Sequence, residues 1–273
     1  MKTYFDALRK TLVQCRRPAG TAFWDRHWQA ARAEGRIPNA HSGAMVLTRK
    51  HLAPGSRLLE GGCGLAGGVR ALQAVGYDAY GVDYAPATVE NIRREAPGLQ
   101  VRLGDVRGLD FPDGFFDGYW SMGVIEHFYE GYQAIFSEMR RVLRPGGLLV
   151  LSFPHLSRLR GFKADRGGYA ALPETFDPGR EGFYQFLLDP SQVIRDLDAH
   201  GFDVIWAQPD SGLKGLKDES PAFLAPMLHA LYRASSLPGR IAKTAIDFIS
   251  RPWCGHTMLL AARKRISSAG AGL

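Results

Sequence analysis

Residues 57–83 read RLLEGGCGLAGGVRALQAVGYDAYGVD, and this stretch decides the fold. An apolar strand through Leu58 and Leu59 ends in an acid, Glu60. A glycine loop follows at once with Gly61, Gly62, Gly64, Gly67 and Gly68. A helix over about 68–75 and a second strand over about 78–82, ending in Asp83, complete a βαβ unit with an acid at the end of each strand. Glycines let such a loop turn tightly and let backbone N–H groups approach a ligand. An acid at the end of the second strand can accept from both hydroxyls of a ribose. The unit therefore predicts an adenosine-like nucleoside at this edge.

Glycine spacing alone does not choose the cofactor, because nicotinamide and flavin enzymes share G-x-G-x-x-G. Glu60 tilts the choice: an anion there repels a pyrophosphate and holds a cationic amino acid. Farther along, Gly81-Val82-Asp83, Gly104-Asp105-Val106 and Arg144-Pro145-Gly146-Gly147 follow in that order. The series resembles the class I S-adenosylmethionine-dependent methyltransferases, in particular their small-molecule, methyltransferase type 11-like branch. The resemblance is close over 55–153, looser over 184–204 and thin at both ends. It implies an α/β fold: a Rossmann-like seven-stranded sheet, mostly parallel with a terminal antiparallel strand, and helices on both faces.

The resemblance also implies a division of labour. Glu60, Gly62, Cys63 and Gly64 hold the methionine part and sugar edge of S-adenosylmethionine (and of the product, S-adenosylhomocysteine). Asp83 takes the ribose hydroxyls. Tyr84 packs on the adenine, or is an ordinary aromatic at a helix start. Asp105 accepts from the adenine amino group and Val106 N–H meets a ring nitrogen, with a turn aspartate as the plainer reading of Asp105. Ser121 and Met122 face the methionine part. A Glu-His pair, Glu126-His127, follows the fourth strand. His127 is the candidate catalytic residue, as a general base whose ordinary pKa of ~6.5 suits proton removal at neutral pH; the alternative is a histidine that fixes the loop. Glu126, His127, His155 and the run Phe183-Tyr184-Gln185, Tyr184 above all as a hydrogen-bond donor, are expected on the acceptor side. Relatives that use a metal carry an extra acid three residues before the Glu, where this chain has Gly123, so no metal is expected. Cys63 is read as a small loop residue and not as a nucleophile.

Breakers and alternation extend the pattern. Strands are expected at 57–60, 78–83, 100–103, 116–121, 148–153, 203–208 and 257–263, with helices at 68–75, 85–95, 132–142 and 191–200. Residues 1–55 look helical and aromatic and are expected to form an N-terminal cap. The core is 56–208 with 257–266. Residues 209–256 separate the last two strands and are expected to form a helical insertion, a lid over the acceptor side, since loops beyond ~15 residues usually carry structure or function. Phe223, Leu224, Met227, Leu228 and Tyr232 in that stretch hint at an aromatic or lipid-like acceptor, or simply bury against the core.

Composition bounds the rest. With 273 residues, 45% of them hydrophobic, the chain holds enough apolar residues for one large α/β domain. Three scattered cysteines, no signal-like N-terminus and no run of ~18 apolar residues suggest reduced thiols in a cytoplasmic protein. The net charge of +7 is uneven: both ends are basic and the middle is acidic. Either the basic flanks dock on the core, or they meet an anionic partner such as nucleic acid or a lipid surface. Nucleic acid is disfavoured, because no Asn-Pro-Pro-Tyr-type motif follows the fourth strand and no RNA-binding module is appended. The expected function is methyl transfer to an oxygen or nitrogen of a small molecule. An RNA or protein methyltransferase, a non-catalytic S-adenosylmethionine-binding protein and a nicotinamide oxidoreductase are the alternatives.

Overall fold

The computed structural model describes residues 1–16, 19–35 and 42–266, so the parts of the expected N-terminal cap at 17–18 and 36–41 lie outside the described residues. In chain order the strands are β1 (Lys2–Asp6), β2 (Thr11–Cys15), β3 (Arg57–Gly61), β4 (Asp78–Asp83), β5 (Gln100–Leu103), β6 (Phe116–Met122), β7 (Leu143–Pro154), β8 (Ala170–Ala171), β9 (Phe183–Leu187), β10 (Phe202–Asp210) and β11 (Thr257–Lys264). The helices are α1 (Thr21–Ala33), α2 (Ser42–His51), α3 (Gly67–Ala74), α4 (Pro86–Glu95), α5 (Gln133–Val142), α6 (Arg158–Asp165), α7 (Pro178–Glu181), α8 (Pro190–Ala199), α9 (Gly212–Glu219), α10 (Ala225–Arg233) and α11 (Leu237–Cys254), with a 3-10 turn at Ile125–His127.

The main sheet has seven strands in the order β10-β11-β7-β6-β3-β4-β5. All neighbours are parallel except β11, which runs antiparallel to both β7 and β10. Helices cover both faces because the strands are apolar on both. On β7, Leu149 and Leu151 enter one core with Phe136 and Met139 of α5 and Val193 and Leu197 of α8. Leu148 and Val150 enter the other with Leu47 of α2, Val69 and Leu72 of α3 and Ile92 of α4. Successive residues of a strand point to opposite faces, so an unbroken apolar run marks a strand buried on both sides. The Arg-Pro-Gly-Gly turn departs from expectation in one respect. Pairing to β6 begins before it, at Phe116–Leu143, and resumes at Gly118–Leu148, so Arg144, Pro145, Gly146 and Gly147 bulge from a continuous strand.

The first residues are not helical. β1 and β2 form a hairpin whose turn is fixed by Asp6, its carboxylate accepting from the N–H groups of Leu8 and Arg9, both at 3.0 Å. Leu12 and Val13 are fully buried, and β2 pairs with β9 while β1 pairs with β8, giving a second, four-stranded sheet. The aromatic helix expected in this region is α1, which packs on α4. Residues 209–256 contain α9, α10 and α11. Both ends of the segment join the sheet's carboxyl edge, where Asp210 pairs with Thr257 and Thr257 with Pro154.

Candidate active site

The carboxyl ends of β3, β4 and β6 open into a cavity of about 470 Å³, a size typical of small-ligand sites. The glycine loop after β3 is tied to the end of β4: the N–H groups of Gly62 and Cys63 both donate to Val82 O, at 2.7 and 3.0 Å. Glu60 then reaches the start of α3, where Val69 N–H donates to its Oε2 at 3.0 Å. A Cβ on Gly68 would stand 2.5 Å from that carboxylate, so only glycine lets the helix begin this close to the acid.

Asp83 is buried at the end of β4, and each of its oxygens accepts a backbone N–H: Gly64 at 2.8 Å and Ala85 at 3.0 Å. Burial raises its pKa, and these two bonds oppose the rise. Tyr84 turns its hydroxyl to Ala19 O at 2.6 Å; burial and the neighbouring Asp83 push its pKa up to about 12. Asp105 is gripped by Arg107, whose guanidinium lies 2.7 Å from Oδ2, and this bond holds the carboxyl below its usual range. Burial pushes the Cys63 thiol well up, followed by Glu60 and Asp83, so Cys63 is not a ready thiolate.

Of the residues singled out from the sequence, Glu60, Gly62, Cys63, Asp83, Tyr84, Asp105, Val106, Met122 and His127 line this cavity. Gly64 does not, because Trp28 lies over it: a Cβ there would be 2.6 Å from the indole. Ser121 and Glu126 are buried behind the lining. Tyr184 contributes its backbone instead, with His127 Nδ1 lying 2.7 Å from Tyr184 O. A carbonyl only accepts, so Nδ1 carries the proton and Nε2 presents its lone pair. Burial drops the His127 pKa to about 4.

His155 does not line the cavity. It lies beyond β7 beside Arg160, which donates to its carbonyl oxygen at 2.8 Å, and burial and that guanidinium lower its pKa to about 4. The lid expectation also needs correction. None of the described residues of 209–256 lines the cavity; Trp24 and Trp28 of α1 do. Strand order gives the reason, since the insertion hangs from the β10/β11 end of the sheet and the glycine loop lies toward the β5 end. Phe223 and Met227 accordingly face solvent. Phe183, expected on the acceptor side, does line the cavity, whereas sequence reasoning missed Arg107, Phe128 and Tyr129, which complete the wall. Arg107, one residue past the Gly-Asp-Val motif, was within reach of it. Tyr129, just past the 3-10 turn, meets Phe183 of β9 with ring centroids 5.1 Å apart, a contact between segments far apart in the chain.

Among the described residues, no group of His, Cys, Asp or Glu side chains is placed to hold a metal ion, and no helix is long and apolar enough to cross a membrane. Cys15, Cys63 and Cys254 are free and buried.

Comparison with known proteins agrees with this geometry. Residues 59–151 match a family model described as a methyltransferase domain. A protein of Mycolicibacterium smegmatis described as a probable S-adenosylmethionine-dependent methyltransferase is 32% identical over 158 residues, 56% of this chain and 54% of that one. The 2-methyl-6-phytyl-1,4-hydroquinone methyltransferase of a Synechocystis species is 34% identical over 44% of this chain and 38% of its own length. The chain thus covers about half or less of these curated relatives. In fold it is similar to the 1,6-didemethyltoxoflavin-N1-methyltransferase of Burkholderia thailandensis, with a TM-score of 0.55 at 16% identity over 97% of this chain and all of that one. Glu60, Asp83 and Asp105 stand together at the carboxyl edge of the sheet, while the Arg-Pro-Gly-Gly bulge lies at the other end of β7, and the family model covers the span that holds them all: residues 59–151 are a methyltransferase domain similar to those of the class I S-adenosylmethionine-dependent methyltransferases.

Proposed function

We propose that the protein transfers a methyl group from S-adenosylmethionine to an oxygen or nitrogen of a small, lipid-soluble or aromatic acceptor. One observation carries the reading: Glu60 and Asp83 stand in the same cavity as an aromatic wall and a histidine with a free Nε2. Glu60 would hold the methionine ammonium and Asp83 the ribose diol, a charge-assisted contact and two acceptor oxygens for two donors. Tyr84, Asp105 and Val106 would meet the adenine, with Arg107 fixing the direction of Asp105. When bound, the cofactor supplies an electrophilic methyl group on a positively charged sulfur.

The chain's own part is to bind, align and dry the acceptor. Trp24, Phe128, Tyr129 and Phe183 supply apolar faces for it. His127 Nε2 would take the proton that the acceptor atom gives up as it gains the methyl. Although burial makes it a weak base, an oxygen that has just been methylated is an oxonium and a strong acid, so a weak base suffices; a methylated amine would leave as its ammonium and lose the proton to water, with no need of His127. The hydroquinone methyltransferase among the relatives supports a lipid-soluble acceptor by analogy.

Calorimetry with S-adenosylmethionine, S-adenosylhomocysteine and NAD on the parent and Asp83→Asn tests the cofactor half. The parent should bind the first two and not NAD. The variant should lose at least about tenfold in affinity, since a hydrogen bond to a charged acceptor contributes about 1.5–3 kcal/mol. Radiolabelled methyl transfer to a panel of quinols, phenols and amines, beside a protein extract, tests the acceptor half. Label appearing only in protein would replace the small-molecule reading with a protein methyltransferase.

A further inference from the structure

Helix α11 is amphipathic the wrong way round for a surface helix. A helix on a globular protein normally turns its apolar stripe to the core and its polar face to water. Here the inward face carries Asp247, Ser250 and Cys254. Asp247 accepts from Leu213 N–H at 3.1 Å and pairs with Arg251 at 2.9 Å. A Cβ on Gly212 would lie within 2.6 Å of Asp247 O, Ser250 Oγ and Arg251 N, so α9 approaches that polar face through glycine. The outward face carries Leu237, Ile241, Phe248, Ile249 and Trp253, each between 61% and 74% exposed. Phe223 just before α10, Met227 on α10 and Phe162 on α6 add more than half of their own surfaces. Contiguous exposed apolar surface of this kind marks a binding face.

What covers it follows from the charge around it. Arg158 stacks over the Trp253 ring at 5.4 Å, Arg166 over Phe162 at 3.6 Å, Arg251 over Phe248 at 5.9 Å and Lys243 over Tyr232 at 4.8 Å. Asp247 is the sole acid between Ser220 and His256, and it is turned inward. Apolar and aromatic side chains rimmed by cations match a bilayer's acyl boundary and its anionic headgroups. A second copy of the chain matches poorly, because an isologous contact sets the cationic rim against itself. The geometry points to the outer face of α11, with α10 and α6, as a surface that docks on an anionic lipid bilayer and lies in its interface without spanning it. The segment returns at both ends to the carboxyl edge of the sheet, the edge that holds the cavity. Docking there brings the catalytic edge to where lipid-soluble acceptors reside, and so deepens the acceptor reading proposed above.

Flotation of the full chain with phosphatidylcholine vesicles, with and without phosphatidylglycerol, tests this without any methyl acceptor. The parent should float with the phosphatidylglycerol vesicles at least about tenfold more than with phosphatidylcholine alone, and high salt should release it. The triple variant Ile241→Ser, Phe248→Ser, Ile249→Ser should stay at the bottom while keeping its melting temperature and its calorimetric affinity for S-adenosylmethionine. Arg158→Glu with Arg166→Glu should lose the preference for phosphatidylglycerol. A parent that floats with neither vesicle, or a dimer in sedimentation that the triple variant abolishes, overturns the bilayer and in the second case replaces it with self-association. Cofactor affinity is read separately, so failure here leaves the methyl-transfer reading standing, and failure of that reading leaves flotation unaffected.

Discussion

Glu126 Oε1 and His127 Nε2 stand 3.8 Å apart, and neither group is charged at neutral pH. Burial raises the Glu126 carboxyl from 4.5 to about 8 and lowers the His127 imidazole from 6.5 to about 4. Glu126 Oε2 finds no hydrogen-bond partner among the described residues, in keeping with a carboxylic acid that stays neutral. The arrangement keeps the wall behind the glycine loop neutral.

A pH profile reads this pair. The folded Glu126 keeps its proton up to about pH 8 and the unfolded one loses it near 4.5, so its contribution is complete below 4.5 and is lost as pH rises through 8. The histidine runs the other way: the unfolded chain binds a proton from 6.5 downward and the folded one does not until about 4, so stability is lost as pH falls between them. Above 6.5 the histidine is neutral in both states, which isolates Glu126. The melting temperature of the parent should fall from pH 6.5 to 8, with a stability slope approaching about 1.4 kcal/mol per pH unit. Glu126→Gln, neutral in both states, should flatten that limb. An unchanged slope in the variant would place the titrating group elsewhere.

A second expectation concerns α1, which closes the cavity from outside. Asp25 on α1 caps a different helix: its Oδ1 accepts from Thr88 N–H at 2.8 Å and Thr88 Oγ1 at 2.9 Å, at the start of α4, which has no side-chain cap of its own. Asp25→Ala removes that cap at a cost of about 1 kcal/mol. It also unpins the helix that holds Trp24 and Trp28 over the glycine loop. Cofactor affinity should therefore fall by about two- to tenfold although Asp25 itself does not line the cavity. Calorimetry on the variant decides it, and an unchanged dissociation constant would show that α1 is held without this contact.

The main sheet was legible because each of its strands is local in sequence: an apolar run bounded by glycine, proline or an acid. The acids of the cavity were legible for the same reason, since Glu60, Asp83 and Asp105 each end or follow such a run and all three line it. The second sheet was not. Its strands β2 and β9 lie far apart in the chain, and Thr11 Oγ1 meets Leu187 O at 2.6 Å across that gap; no local period encodes such a pairing. The side walls followed the same logic. Phe128 and Tyr129 reach the cavity from beyond the 3-10 turn and were missed, whereas His155 follows β7 directly and was expected there. Its backbone is tied instead to Arg160 and His256, and nothing in the local pattern signals the burial of Arg160. The insertion was read as a lid because so long a link usually carries structure or function, but length cannot tell a helix with an inward apolar stripe from one with an outward stripe.

The Arg160 cluster gives the last expectation. Arg160 is 1% exposed and bonds Glu219 Oε1 at 2.9 Å, joining α6 to α9. Lys163 and Tyr169 meet Glu219 Oε2 at 2.6 and 2.7 Å. Burial works against the Glu219 charge, but the bonds from Lys163, Tyr169 and Arg160 outweigh it and leave its pKa below the usual range. Its contribution is therefore present at neutral pH and lost as pH falls through that lowered value. Glu219→Ala strands a buried guanidinium without its anion, which costs about 3–5 kcal/mol. Glu219→Gln should cost less, because an amide oxygen still accepts from Arg160. Thermal melts of both variants give the order. Since the cluster lies away from the cavity, variants that remain folded should bind S-adenosylmethionine as the parent does. A folded Glu219→Gln with weakened binding would instead tie the α6–α9 corner to the cofactor site.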